Sequence, residues 1–223
     1  MKKAVKKKVV SKAVVPVTVS FVLDETGSME VCRQATISGF NEYVQELQKK
    51  SSGIKMTLTL FNSDKTEVRY SDVVVKEVKP LTRETYSPAG MTPLYDAIGL
   101  TIKKIGDKKA GTLVVIMTDG EENASKEFTR EKIFDLIKQK EADGWTFVYL
   151  GANHDSWTAG QAIGLHKGNT MNYNQNMTKG TMKAMAGAVQ CYASMSTQGA
   201  PAMNSFFKQS GYIAPTQEDD TTQ

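Results

Sequence analysis

Three short stretches of the chain carry side chains capable of site chemistry: DETGS at 24–28, GMTPLYDAI at 90–98 and MTDGEEN at 117–123. The first follows the apolar run FVL and sets Asp24, Thr26 and Ser28 on alternate positions around Gly27. Oxygen atoms crowded just past an apolar run suit a hard cation or a phosphate, and the two imply different proteins. Taken singly, each stretch has a plainer reading. Asp, Thr and Ser are the usual helix caps, TPL makes a turn, and TDG closes a strand. What sets them apart is that all three would have to arrive at one place.

The elements between them decide whether they do. Apolar, β-branched runs recur at Val14 to Leu23, Met56 to Phe61, Val73 to Val78, Thr112 to Met117 and Thr146 to Leu150, with helical periodicity in several of the gaps. Ile37, Phe40, Val44 and Leu47 form one stripe, Ile133, Phe134 and Ile137 another, and Met182, Met185, Val189 and Tyr192 a third that reads as core. The run LVVIM is continuously apolar, as a parallel strand buried on both faces requires, so residues 17–24 and 112–119 belong at the centre of the sheet. Lys55 to Val78 reads as an antiparallel hairpin at an edge. The expected fold is therefore α/β, a doubly wound and mostly parallel sheet with one antiparallel edge strand and helices on both faces. Both central strands end in aspartate, Asp24 and Asp119, and ligands of such sheets sit beyond the carboxyl ends of the strands.

Length and charge set further bounds. The chain has 223 residues, 40% of them hydrophobic, enough for one domain, expected over 14–213. Its net charge of +4 is uneven: six lysines crowd the expected tail at 1–13, and Glu218, Asp219 and Asp220 mark an acidic tail at 214–223. Without interleaved aromatics the basic tail reads as a solvated arm rather than a nucleic-acid surface. Lys12 and Pro16 interrupt what might otherwise pass for a secretory leader, and no other run approaches the length of a membrane span. Cys32 and Cys191 imply no disulfide framework, and a reducing compartment is the default. With only His154 and His166, no histidine metal cluster can form; Cys32 reads as buried packing, and Lys103, Lys104, Lys108 and Lys109 as a solvated helix face.

In this order the three stretches resemble the von Willebrand factor type A family, whose metal-ion-dependent adhesion site has Asp-x-Ser-x-Ser after the first strand, a threonine in a middle loop and an aspartate after the fourth strand. The resemblance makes Asp24, Thr26, Ser28, Thr92 and Asp119 the metal set, with Thr26 departing from the usual serine but keeping its hydroxyl. It covers roughly residues 14–200 by order of elements, though its specific motifs span only about twenty residues. It implies binding of Mg2+ or Mn2+, whose open position a partner's Asp or Glu fills, and protein binding without catalysis. Short family members with lysine-rich starts resemble bacterial and phage forms, which implies a cytoplasmic or virion protein working beside an AAA-type ATPase or an assembly component. The chemistry is coherent in itself, because Mg2+ takes six oxygen ligands and keeps several waters.

A second resemblance is enzymatic. DETGS is similar to the phosphorylated stretch of transport ATPases and of haloacid dehalogenase-like phosphatases, which would make Asp24 a nucleophile in phosphoryl transfer and Asp119 a magnesium ligand. Against it, Thr26 stands where soluble members carry a general-acid aspartate, the chain lacks the spans of the transporters, and GMTPL goes unexplained. Removing residues 1–13, which offer no core face, is expected to leave cooperative thermal unfolding intact, and its loss would contradict this division of the chain.

Overall fold

The seven residues TVSFVLD are all buried and form β1 (Thr18–Asp24), the middle of a sheet covered on both sides. The computed structural model describes residues 16–50, 53–107, 111–152, 156–173, 178–196 and 202–209; the expected tails, Lys108, Lys109, His154 and Asp155 lie outside them. After β1 come α1 (Arg33–Lys50), the hairpin β2 (Lys55–Phe61) and β3 (Thr66–Val74), then α2 (Leu94–Ile105), β4 (Thr112–Thr118) and α3 (Arg130–Ala142). The order closes with β5 (Thr146–Ala152), α4 (Ser156–Ala162), β6 (Thr170–Tyr173), α5 (Thr178–Met195) and α6 (Phe206–Gln209).

The strands lie in the order β3-β2-β1-β4-β5-β6, and every neighbouring pair is parallel except β2 with β3. The winding reverses at β1 and β4, which pair in register from Thr18 with Thr112 to Leu23 with Met117. That reversal opens a crevice beyond their carboxyl ends, where Asp24 and Asp119 emerge.

Alternation along β1 divides the core. Phe21 and Leu23 face α1 and α5, meeting Phe40, Tyr43, Leu47 and the buried methionines Met182 and Met185. Phe21 packs edge-on against Phe40 with ring centroids 5.5 Å apart, the arrangement the ring quadrupoles favour. Val22 faces the other way, toward Leu94, Ile98 and Ile102 of α2 and Ile133 and Ile137 of α3. Among the described residues no helix is long and apolar enough to cross a membrane.

Two local expectations need correction, and one strand was not foreseen. The third strand runs over Thr66–Val74, not Val73 to Val78; Val75–Glu77 is a 3-10 turn that tucks Val75 and Val78 into the core, where Gln48 Nε2 donates to both their carbonyls at 3.0 Å. Apolar residues in this segment mark a buried turn rather than a strand. β6 is a short edge strand, TMNY, whose polar–apolar alternation buries Met171 but spans too few residues to announce a strand. Phe134 lies beside the α3 stripe rather than in it, 40% exposed, with Lys138 Nζ 5.8 Å from its ring centroid. Phe21→Ala is therefore expected to lose about 3–5 kcal/mol of unfolding free energy in urea titrations. Phe134→Ala should lose under about 1 kcal/mol, although both positions are phenylalanine.

Candidate functional site

At the end of β1 the alternation turns the Asp24 side chain toward α2, fully buried. Its Oδ1 accepts from Thr26 N at 2.7 Å, and its Oδ2 accepts from Thr118 Oγ1, at the end of β4, at 2.5 Å. Tyr86 Oη donates to the Asp24 carbonyl at 2.6 Å, fixing the backbone as well. The chain then turns into a 3-10 helix at Gly27–Glu30, which sets Thr26 Oγ1 and Ser28 Oγ 3.2 Å apart. Ser28 Oγ donates to Asp119 Oδ1 at 2.6 Å, so the two strand ends are joined through side chains.

The middle loop docks on this turn by its backbone. Gly27 N donates to Gly90 O, and Ala89 N to Glu25 O, both at 3.0 Å. Gly90 has φ +72°, a conformation that favours glycine, and a Cβ on Gly27 would sit 3.2 Å from the Gly90 carbonyl oxygen. Beneath the turn, the Glu25 carboxylate accepts from Ser87 N at 2.6 Å and pairs with Lys65 Nζ at 3.2 Å.

Thr92 reaches the same place. A Cβ built on Gly120 would lie 3.0 Å from Thr92 Oγ1 and 3.4 Å from Ser28 Oγ, so both hydroxyls border the space that this glycine leaves open. Asn123 clamps Thr92 on two sides, accepting from Thr92 N at 2.8 Å through Oδ1 and donating its own N–H to Thr92 O at 3.0 Å. Pro93, which opens α2, offers no side-chain cap. The loop after β4 supplies one instead, since Glu122 Oε2 accepts from Tyr95 N at 2.9 Å and Ser125 Oγ from Asp96 N at 3.0 Å. Asp24, Thr26, Ser28, Thr92 and Asp119 therefore all meet at one end of the sheet.

Electrostatically the site is incomplete. Burial pushes the Asp24 carboxyl up to about 6, against the opposing bonds from Thr118 and Thr26, and the Asp119 carboxylate adds to the rise. Burial also raises Asp119, offset in part by Ser28. Among the described residues no lysine or arginine pairs with either carboxylate. No group of three or more His, Cys, Asp or Glu side chains suited to a metal occurs among them either. The donor set is thus two carboxylates and three hydroxyls, all hard oxygen, and it fits a small divalent cation.

Sequence reasoning passed over Thr118, Gly120 and Asn123, although all three lie within MTDGEEN. Thr118 could be inferred from the strand register, which puts the residue after Met117 beside Asp24; Asn123 carries no comparable signal. Cys32 is buried as expected, its thiol 3.5 Å from Met29 O and pushed upward by burial.

A sequence model of the von Willebrand factor type A domain matches residues 18–186. Comparison with curated proteins gives no match. Among solved structures, the chain is similar to the vWF domain of the type V pili tip protein Mfa5 from Porphyromonas gingivalis, at 10% identity and TM-score 0.63 over 81% of this chain and 97% of that one. Manganese-loaded TRAP from Plasmodium vivax aligns at 17% identity and TM-score 0.55, over 74% and 70% of the two chains. Proximal thread matrix protein 1 of the mussel byssus aligns at 14% identity and TM-score 0.57, over 81% of this chain and 49% of that one. The chain thus spans about half the length of the mussel protein.

The raised Asp24 carboxyl has a measurable consequence. Its folded-state value of about 6 exceeds the ordinary 3.8, so the stability it contributes is full below 3.8 and is lost as pH rises through 6. In the presence of chelator, acidification from pH 7 to 5 is expected to favour the wild type over Asp24→Asn by about 1 kcal/mol in unfolding free energy. Parallel pH profiles of the two proteins would contradict this.

Proposed function

The chain belongs to the von Willebrand factor type A domain family, and from that premise we propose that it is a protein-binding module whose grip depends on a divalent cation. Domains of this family commonly mediate protein–protein interactions and often bind a divalent metal. In our reading Asp24, Thr26, Ser28, Thr92 and Asp119 hold Mg2+ or Mn2+. A cation bound there supplies an acceptor for a carboxylate from another protein.

The observation that supports this reading is a buried carboxylate, Asp24, beside a half-buried one, Asp119, both bonded to hydroxyls and, among the described residues, paired with no lysine or arginine. Ser28 gives its proton to Asp119 and Thr118 gives its proton to Asp24. With its proton on Asp119, Ser28 accepts from Thr26 and keeps one lone pair for a cation, while Thr118 holds the buried carboxylate in one orientation. Because only two of the five side chains are anionic, the set does not over-neutralise a dication, and an incoming Asp or Glu remains attractive. An AAA-type ATPase or a component of an assembly system is the kind of partner we propose.

Nothing in the geometry favours phosphoryl transfer. Both Asp24 oxygens are engaged and the side chain is buried, so a nucleophile would first have to be released from Thr118 and Thr26. Position 26 brings a hydroxyl, not the carboxylate a general acid would need.

Titrating Mg2+ or Mn2+ should raise the melting temperature, by roughly 5–10 °C at about a hundred times the dissociation constant. Asp24→Ala and Asp119→Ala should each remove that response, and an ion response unchanged in both would overturn the reading. Thr92→Ala should weaken ion-dependent partner capture about as much as Asp24→Asn, with chelator mimicking both. Phosphate-ester hydrolysis lost in Asp24→Asn but kept in Thr92→Ala would decide for the enzyme instead.

A further inference from the structure

Among the described residues five large apolar side chains stand out of the surface: Val31, Val74, Met91, Phe134 and Met195. Two of the five flank the candidate site. Val31 is 78% exposed and ends the 3-10 turn three residues after Ser28; Met91 is 57% exposed and immediately precedes Thr92. A single exposed valine or methionine needs no explanation. These two, however, stand on backbone that the site's own hydrogen bonds hold in place. Val31 N donates to Ser28 O at 3.3 Å and Met91 N to Ser63 Oγ at 3.0 Å, while the Gly27–Gly90 bond joins the two turns that carry them. Both therefore sit on one rim, around the hydroxyls of Ser28 and Thr92.

The charge of that rim is the second observation. Asp64, next to the serine that holds Met91, and Glu121, two residues past Asp119, are exposed, whereas Glu30, next to Val31, is paired with Arg33. The nearby cations are already engaged: Arg33 with Glu30 and with the carbonyls of Tyr86 and Arg83, Lys65 with Glu25 and Glu67. The rim is thus acidic, on a chain whose net charge is +4. A partner segment made of consecutive acidic residues would be repelled everywhere except at the ion.

Resting on the ion-dependent reading above, we infer that the partner presents a single carboxylate beside a bulky apolar side chain and a lysine or arginine. Val31 and Met91 cover the apolar group. Asp64 and Glu121 attract the basic one. The carboxylate gives the contact its dependence on the cation, and these neighbours give it selectivity among the many exposed acidic residues that other proteins offer.

The test uses arrays of nine-residue peptides with central Asp, Glu or Asn and randomised flanks, probed with the full chain in Mg2+ and again with chelator. Chelator-sensitive binders are expected to have Asp or Glu at the centre, to be depleted of further acids, and to be enriched in Leu, Ile, Met or Phe and in Lys or Arg alongside. The double variant Val31→Ser, Met91→Ser should bind the best apolar-flanked peptide about five- to tenfold more weakly and lose the apolar enrichment. Its ion-dependent melting shift reports that the ion site is intact. Chelator-sensitive binding with no flank preference, or with a preference the double variant keeps, overturns this inference and leaves the ion-dependent reading standing. An ion-dependent melting shift with no chelator-sensitive peptide also overturns this inference alone. Absence of any ion-dependent shift in the wild type overturns the reading beneath it, and this one with it.

Discussion

The structure depends on the burial of one carboxylate. Asp24 ends the central strand with its side chain fully inside the molecule, where a charge is costly unless each oxygen finds a donor. One donor comes from its own turn, Thr26 N, and the other from the neighbouring strand, Thr118 Oγ1. The second is available only because β1 and β4 pair in register, which is the pairing at which the winding of the sheet reverses. Sheet order and site are therefore one constraint. Were β1 paired with any other strand on that side, Asp24 would be left buried with half of its acceptors unmet.

From that point rigidity spreads outward by backbone contacts more than by packing. The middle loop is bonded to the first turn at Gly27 and Glu25, and the loop after β4 caps α2 through Glu122 and Ser125 while Asn123 grips Thr92. Asp96 closes the circuit from the helix side, its carboxylate accepting from the N–H groups of Lys126, Glu127 and Phe128 at 2.8–2.9 Å. Together these groups hold three separate stretches of chain against one another. Such pre-organisation lowers the ordering cost of whatever binds there.

How much of this could be read from sequence follows from the same physics. Central strands are legible because burial on both faces demands an unbroken apolar run, as in Leu113 to Met117. The convergence of the five oxygen-bearing residues could be expected not from their types, which are ordinary at caps and turns, but from two of their three stretches following the central strands. What escaped are features defined by partners rather than by the residue itself. Asn123 is one polar residue in a polar loop until Thr92 is seen between its two bonds. β6 is an alternating tetrapeptide too short to be read as a strand, and it becomes one because the edge of β5 is there to receive it. Val75 and Val78 look like strand and are a buried turn, because Gln48 from α1 reaches over to satisfy their carbonyls. The exposure of Val31 and Met91 is invisible for a similar reason: only the fold shows which apolar residues were left outside it.

Keeping Asp24 ionised in the absence of a cation costs the folded state about 3 kcal/mol, the equivalent of raising its carboxyl from 3.8 to about 6. That cost is borne at the point where three loops converge, so it acts on the elements a ligand would organise. Any positive charge that settles beside Asp24 and Asp119 recovers part of it, and the recovered free energy appears simultaneously as affinity for that charge and as stability of the loops. A charge bound there would therefore stabilise the fold that brings these loops together. Apolar side chains on a rim of this kind gain most when the backbone beneath them is already fixed, because little ordering remains to be done when a partner arrives.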